Sequence, residues 1–393
     1  MKRIVVNGYS EGWLRKKFAW VYPKEVQRGA AAAGAQVELR SGKGDLLGIG
    51  IADDGWIAAR VLRHDSGPID DTWLWERLDV AAAWRDVVVD PLTTGYRLVN
   101  AENDELPGVR IDWWDHFAVI ILGSPSLARL IPGIVAWLED RRQPRGVYLC
   151  YRADPRDERD WNAVKPKPGL VSGKAPSGPV RVTERGMGIL VDPSDGPDVG
   201  MYADMREVRA WMEPYWGGRA VLNTFSYTGA FSVAAALGGA TDVVSVDLSS
   251  KVLERAEANF VANELDPGSA RFIAEDVFKA LDRLRRTQET FDIVILDPPS
   301  FSRSHEGIWS AKRDWPRLVA AACRVLNPGG WILAASNQGE MSPRDFRGFV
   351  AQGLKRADRQ GAEVFAGGQG PDFPVAVNFP EGRYLKVGVW RVS

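Results

Sequence analysis

The chain has 393 residues, of which 45% are hydrophobic and 26% charged, with a formal net charge of −1. That length allows two or three soluble domains with ample cores, and the near-neutral balance excludes a protein that is basic throughout. Any nucleic-acid contact must therefore come from local patches. The two cysteines, Cys150 and Cys323, lie far apart, which excludes a disulfide framework, and no Cys/His spacing suggests a metal site. The opening Met1-Lys2-Arg3-Ile4-Val5-Val6-Asn7 has no long apolar stretch, and no apolar run reaches membrane-spanning length. A cytoplasmic protein away from the membrane is expected.

Residues 1–68 hold short strand-like runs at 36–40, 46–51 and 56–62. Turn signals at Gly42-Lys43-Gly44-Asp45 and Asp53-Asp54-Gly55 separate them, as in a small β-barrel. Arg15, Lys16, Lys17 and Lys24 cluster beside Phe18, Trp20 and Tyr22. Cations interleaved with aromatics suit RNA backbone and base stacking, so Arg15, Lys16, Lys17 and Trp20 are candidate RNA-binding residues. A solvated barrel rim is the plainer alternative.

Residues 69–190 mix helix and strand. Helical spacing of apolar residues predicts helices over 73–84 and 127–138, and apolar runs predict strands at 116–122 and 147–151. The Lys-, Pro-, Gly- and Ser-rich stretch 165–179 reads as a loop. No catalytic constellation stands out in this region.

Residues 191–393 alternate strand and helix, which predicts a parallel, doubly wound sheet. Strands are expected at 219–223, 242–246, 270–273, 291–296, 331–335, 362–365 and 384–391, the last of them antiparallel. In such sheets ligands bind outside the carboxyl ends of the strands. The first strand runs into Phe225-Ser226-Tyr227-Thr228-Gly229. This turn is not the G-x-G-x-x-G that seats a pyrophosphate, which argues against a nicotinamide enzyme. A single glycine with small polar neighbours suits S-adenosylmethionine, which has no phosphate.

The second strand ends at Asp247, the position of a ribose-binding acid in these folds, although a helix cap before Ser249 is the plainer role. Asp276 follows the third strand and is a candidate for the adenine amino group, with a helix cap again as the alternative. The fourth strand runs into Asp297-Pro298-Pro299-Ser300-Phe301. The prolines stiffen the exit from the strand. They leave a shelf carrying Asp297 and Phe301, suited to a flat polar ring such as a base. Upstream, a helix beginning near Gly200 would put Tyr202, Arg206 and Arg209 on one face, where an arginine could meet the methionine carboxylate. Together these residues predict a methyl transfer from S-adenosylmethionine to a nucleobase.

These residues resemble the RlmI-type large-subunit ribosomal RNA methyltransferases over the full length. The resemblance rests on Phe18-Ala19-Trp20-Val21-Tyr22 with Gly48-Ile49-Gly50, and on residues 97–108, Arg97 to Gly108. It also rests on Tyr202-Ala203-Asp204-Met205-Arg206, on the two motifs around Thr228 and Asp297, and on residues 379–386, Phe379 to Lys386. It implies an α/β fold: a class I, Rossmann-like methyltransferase domain at 191–393, preceded by a PUA-like β-barrel at 1–68 and a small α+β central domain at 69–190. It implies S-adenosylmethionine as cofactor, Tyr202, Arg206, residues 225–229, Asp247, Asp276 and Asp297 as cofactor-binding residues, and 23S ribosomal RNA as partner. A homodimer is left open.

One departure bears on the chemistry. Members that methylate cytosine at C5 carry a cysteine where this chain has Ser336-Asn337-Gln338-Gly339. C5 needs a thiolate added at C6, and Asn337 cannot supply one. The Ser-Asn pair resembles enzymes that methylate guanine N7, whose lone pair is already nucleophilic. Asp297, Pro298, Phe301 and Asn337 are then the candidate catalytic residues. A further departure is Asp198, where the family often carries a basic residue. The competing readings are a cytosine-C5 enzyme, a small-molecule methyltransferase and a non-catalytic RNA-binding assembly factor.

Overall fold

The computed structural model describes residues 1–393 except 153, 155, 158, 159, 300–302, 305, 306 and 309. Contacts divide the chain into two compact units. One comprises residues 1–182, 191–199 and 371–382; the other comprises 183–190, 200–370 and 383–393. No helix among the described residues is long and apolar enough to cross a membrane.

The first unit contains a six-stranded sheet and a five-stranded sheet. In the six-stranded sheet the expected runs pair antiparallel, with Leu39 opposite Gly48 and Ile51 opposite Arg60. The strand expected at 56–62 begins only at Ala59, because the chain still bends through residues 54–58. Lys2–Val6 adds in parallel to Gln36–Arg40. The five-stranded sheet places Phe117–Leu122 parallel to Gly146–Tyr151. Helix Asp71–Val88 is capped at its N-terminus by Asp70, whose carboxylate accepts from the Trp73 amide. The expected helix at 127–138 is a 3₁₀ turn over Pro125–Leu130 followed by the α-helix Ile131–Arg141. Both helices bury their apolar stripe, Leu74, Leu78, Ile134 and Trp137 among others, in one core with Ile49, Ile51 and Ile120.

The loop expected at 165–179 is corrected in part. Gly169–Gly173 forms the outer strand of the five-stranded sheet, antiparallel to Gly146–Tyr151. An edge strand pairs along one side only and need not bury side chains, so its sequence lacks apolar alternation.

Arg85 ties this unit together. Its fully buried guanidinium donates to both oxygens of Asp104 at 2.9 and 2.7 Å and to the carbonyls of Arg97, Ala81 and Asp372. Asp372 lies in the late segment 371–382, and its own carboxylate accepts from the Arg97 amide.

The second unit is built on a seven-stranded sheet. In spatial order it runs Arg271–Ala274, Asp242–Asp247, Ala220–Thr224, Phe291–Leu296, Leu326–Ser336, Lys386–Val392, Gly361–Gly367. The first five pair in parallel, and Lys386–Val392 is antiparallel to both its neighbours. Strand Leu326–Ser336 is longer than expected because Leu326 also pairs with Phe291, across a register shift that leaves Asn327-Pro328-Gly329-Gly330 unpaired with that neighbour before pairing resumes at Trp331. Helices cover both faces, so Leu222, Val244 and Val294 enter one core and Val221, Val243 and Ile293 the other. That double burial is why these strands read as continuous apolar runs rather than alternating ones.

Removing one partner of a buried ion pair leaves an uncompensated charge. Arg85→Ala should therefore destabilise the protein by about 3–5 kcal/mol in urea unfolding followed by tryptophan fluorescence. A loss below about 1 kcal/mol, the scale of an exposed pair, would contradict the assignment.

Candidate active site at the carboxyl ends of the parallel strands

Four neighbouring parallel strands end level with one another. Thr224 pairs with Val246 and with Leu296, and Asp247 pairs with Ala274. The segments that follow, 225–229, 247–249, 275–277 and 297–299, thus leave one edge of the sheet. The structure brings Thr228, Asp247, Asp276 and Asp297 to this common edge.

The loop after the first strand is unusual in its backbone. Phe225, Tyr227 and Gly229 all have positive φ, at 54°, 49° and 76°. A Cβ on Gly229 would lie 2.9 Å from Cβ of Ala256, so glycine here permits the close approach of helix Ser250–Val261 as well as the left-handed turn. The loop is held from below. Asn259 of that helix donates to the Thr228 carbonyl at 2.8 Å and accepts from the Leu190 amide, and the Thr228 hydroxyl donates to the Gly200 carbonyl. Ser226 is buried, and its hydroxyl has no hydrogen-bond partner among the described residues.

Asp247 accepts from the Tyr227 amide at 3.0 Å and from the Ser249 amide at 3.1 Å, one bond to each carboxylate oxygen. It therefore joins two strand-end loops, and the following Leu248 is 67% exposed. Asp276 is the N-cap of helix Val277–Arg286, with Oδ1 accepting from the amides of Phe278 and Lys279. The adjacent Phe278 ring carries the Arg317 guanidinium 4.0 Å from its centroid.

The helix expected to start near Gly200 begins at Arg206. Tyr202 is extended and Ala203–Met205 forms a 3₁₀ turn, so Tyr202 and the two arginines do not share one helical face. Tyr202 is half-exposed, with its ring 5.2 Å from that of Tyr227. Arg206 is buried, and its Nε lies 3.4 Å from Glu207. Arg209 is committed elsewhere: both of its bonds to Glu184 are 2.6 Å, and it also donates to the Tyr202 carbonyl.

Asp297 is the most perturbed acid of the edge. Burial, and then the nearby Asp204 carboxylate, push its carboxyl up to about 7, with Arg209 opposing. Asp204 accepts from the Tyr384 hydroxyl at 2.7 Å. Pro298 is buried and Pro299 exposed, whereas Phe301 lies outside the described residues. Asn337 is exposed just beyond strand Leu326–Ser336. Asp204, Glu184, Tyr384 and Lys386 were given no role from sequence. Asp204, Tyr384 and Lys386 lie within motifs quoted for the resemblance, but only the fold shows what they contact.

In the first unit, Arg15 pairs with Glu11 and with Asp45, and Lys16 lies over the Trp13 ring at 5.2 Å. The Lys17 carbonyl accepts from Asn378. Trp20 is half-buried, donates to Glu102 at 2.8 Å and packs edge-on against Trp56 and Phe379.

The parallel sheet, with its last strand inserted antiparallel and its polar residues at the carboxyl edge, defines the class I methyltransferase fold. The family of S-adenosylmethionine-dependent methyltransferases matches residues 145–356. The chain is 35% identical over 396 residues to ribosomal RNA large subunit methyltransferase I of Cronobacter sakazakii, covering 98% of each chain. It is 35% identical to the protein of that name from Serratia proteamaculans, covering 96% of each. A methyltransferase crystallised with SAH superimposes with a TM-score of 0.89 at 26% identity, and a SAM-dependent methyltransferase from Streptococcus mutans with 0.86 at 26%; each covers 100% of both chains. The chain belongs to the S-adenosylmethionine-dependent methyltransferase family. It is an enzyme, and its cofactor is S-adenosylmethionine.

The folded chain holds the Asp297 proton more tightly than the unfolded chain. Stability should thus fall as pH rises from 3.8 to about 7 and level off above. Asp297→Asn should remove this contribution. Its stability relative to the parent should grow through that window in urea titrations, and a difference independent of pH would contradict the raised value.

Proposed function

We propose that this enzyme methylates a base of 23S ribosomal RNA, with guanine N7 as the preferred atom. The substrate class is supported by the names of the full-length relatives. The observation that carries the choice of atom is the state of the thiols. Both cysteines of the chain are buried, and burial pushes Cys150 up to about 12 and Cys323 up to about 11. Cys323 belongs to the core with Leu318 and Trp315. Neither thiol is a thiolate at neutral pH, and the strand end carries Asn337. Covalent activation of cytosine C5 thus lacks its nucleophile.

S-adenosylmethionine supplies an electrophilic methyl group. In this reading the unbonded Ser226 hydroxyl, the Tyr227 loop and Arg206 hold its polar groups. Asp247 has lone pairs beyond its two backbone bonds with which to accept from the ribose hydroxyls. Leu248 offers an apolar surface to the adenine, and Asp276 is placed at the edge for the adenine amino group. N7 needs no activation, so the protein's work is to position it and to stabilise the positive charge that develops on the ring. Asn337 would hold the base edge. Asp297, ionised above about pH 7, would face that charge, with Pro298 stiffening its approach and Phe301 expected to stack on the ring. The first unit would supply RNA contact as a PUA-like module through Lys16, Lys17 and the aromatic cluster around Trp20. Arg15 would contribute less, because its charge is already paired.

Reaction with labelled cofactor and 23S rRNA, followed by nucleoside mass spectrometry, tests this. 7-Methylguanosine is expected. 5-Methylcytidine would overturn the choice of atom, and no labelled nucleoside would overturn the substrate. Hydrogen bonds to a charged group are worth about 1.5–3 kcal/mol, so Asp247→Ala should weaken S-adenosylmethionine binding about 10- to 100-fold by calorimetry. Unchanged affinity would remove Asp247 from the cofactor site.

A further inference from the structure

Lys386 is a buried cation of the second unit that the reading above leaves without work. It opens the last strand, directly opposite Ser336 in the antiparallel pairing, and is 5% exposed. Its ammonium donates to the Gln338 carbonyl and to the Tyr384 carbonyl, the latter at 2.7 Å. Both acceptors are neutral. Burial accordingly pushes Lys386 down to about 8. A buried ammonium that has no counter-charge among the described residues is costly, and an apolar side chain at this strand position would avoid that cost.

The two carbonyls lead to two different parts of the acceptor site. Gln338 immediately follows Asn337, so the bond to its carbonyl restrains the Gln338–Gly339 peptide, one residue beyond Asn337. Tyr384 is the residue whose hydroxyl donates to Asp204 at 2.7 Å, and Asp204 is the carboxylate acting on Asp297. One ammonium therefore joins the segment carrying Asn337 to the segment that grips the partner of Asp297.

We propose that Lys386 is a positioning residue for methyl transfer, a cross-link that sets the spacing of Asn337 and Asp297 around the acceptor base. The assignment rests on the reading that these two residues flank that base. Lys386 acts through the two carbonyls and need not touch substrate. Its loss should leave the cofactor loops after the first and second strands unaltered, since none of their hydrogen bonds involves it.

The test compares the full-length parent with Lys386→Met and Lys386→Arg, using 23S rRNA and S-adenosylmethionine. Misplacement on the order of 1 Å costs about 10²-fold in rate, so Lys386→Met should lose about 10²-fold in kcat. Its KM for RNA and its calorimetric affinity for S-adenosylmethionine should each stay within about threefold of the parent, well short of that loss. Lys386→Arg keeps the charge and the carbonyl bonds, and should recover at least about tenfold of the lost kcat. Parent-like kcat in Lys386→Met overturns the assignment, as does a loss confined to KM. Equal loss of cofactor affinity in both variants, or failure of both to fold, makes Lys386 merely structural and also overturns it. A parent enzyme that transfers no methyl group to the RNA overturns the functional reading and this inference together.

Discussion

The structure depends on one constraint: a parallel sheet buried on both faces leaves polar groups nowhere to go but its ends. Val221, Val244, Ile293, Val294 and Leu333 are all fully buried. Even the polar residues within the strands are spent internally, with Asn223 donating to Ser232 and Thr224 to the Ile295 carbonyl. Chemistry is thereby displaced to the segments after Thr224, Asp247, Ala274, Leu296 and Ser336. Equal register keeps those segments level with one another.

The same constraint gives the edge its electrostatics. Asp247 and Asp276 are stabilised by backbone amides, whereas burial and a neighbouring carboxylate push Asp297 up to about 7. One row of acids therefore places its members in different surroundings, backbone amides for two of them and burial beside a carboxylate for the third. A group that answers charge developing during transfer benefits from a value near the working pH. Arg209, held by Glu184 and the Tyr202 carbonyl, supplies positive charge beside Asp297 without being free to leave it.

The thiols illustrate how burial decides reactivity. Cys323 sits at the end of helix Ala311–Cys323 among Leu318, Val319 and Trp315, and its sulfur serves packing. Burial pushes its thiol up to about 11, outweighing the opposing pull of the Arg359 charge. Under the proposed function the site has to place a nucleophile the substrate already possesses, which puts the weight on geometry and is why a cross-link at Lys386 would matter.

Much of this was legible in local sequence. Apolar runs such as Phe291 to Leu296 mark doubly buried strands, because burial on both faces permits few polar residues within them. The acids directly after them mark the edge, because the chain must turn polar on leaving the core. Gly229 was legible as a special backbone position, but its crowding by Ala256 was not. The start of the helix at Arg206 was not legible either, since helical spacing is blind to the 3₁₀ turn that precedes it. Nor was strand Gly169–Gly173, whose exposed residues carry no periodic pattern. The pairing of Arg209 with Glu184, the grip of Tyr384 on Asp204 and the clamp of Lys386 on Gln338 all join residues from 25 to 180 positions apart. Periodicity and turn chemistry report on neighbours along the chain. Which charge meets which across the sheet is settled only when long-range packing brings the strand ends together.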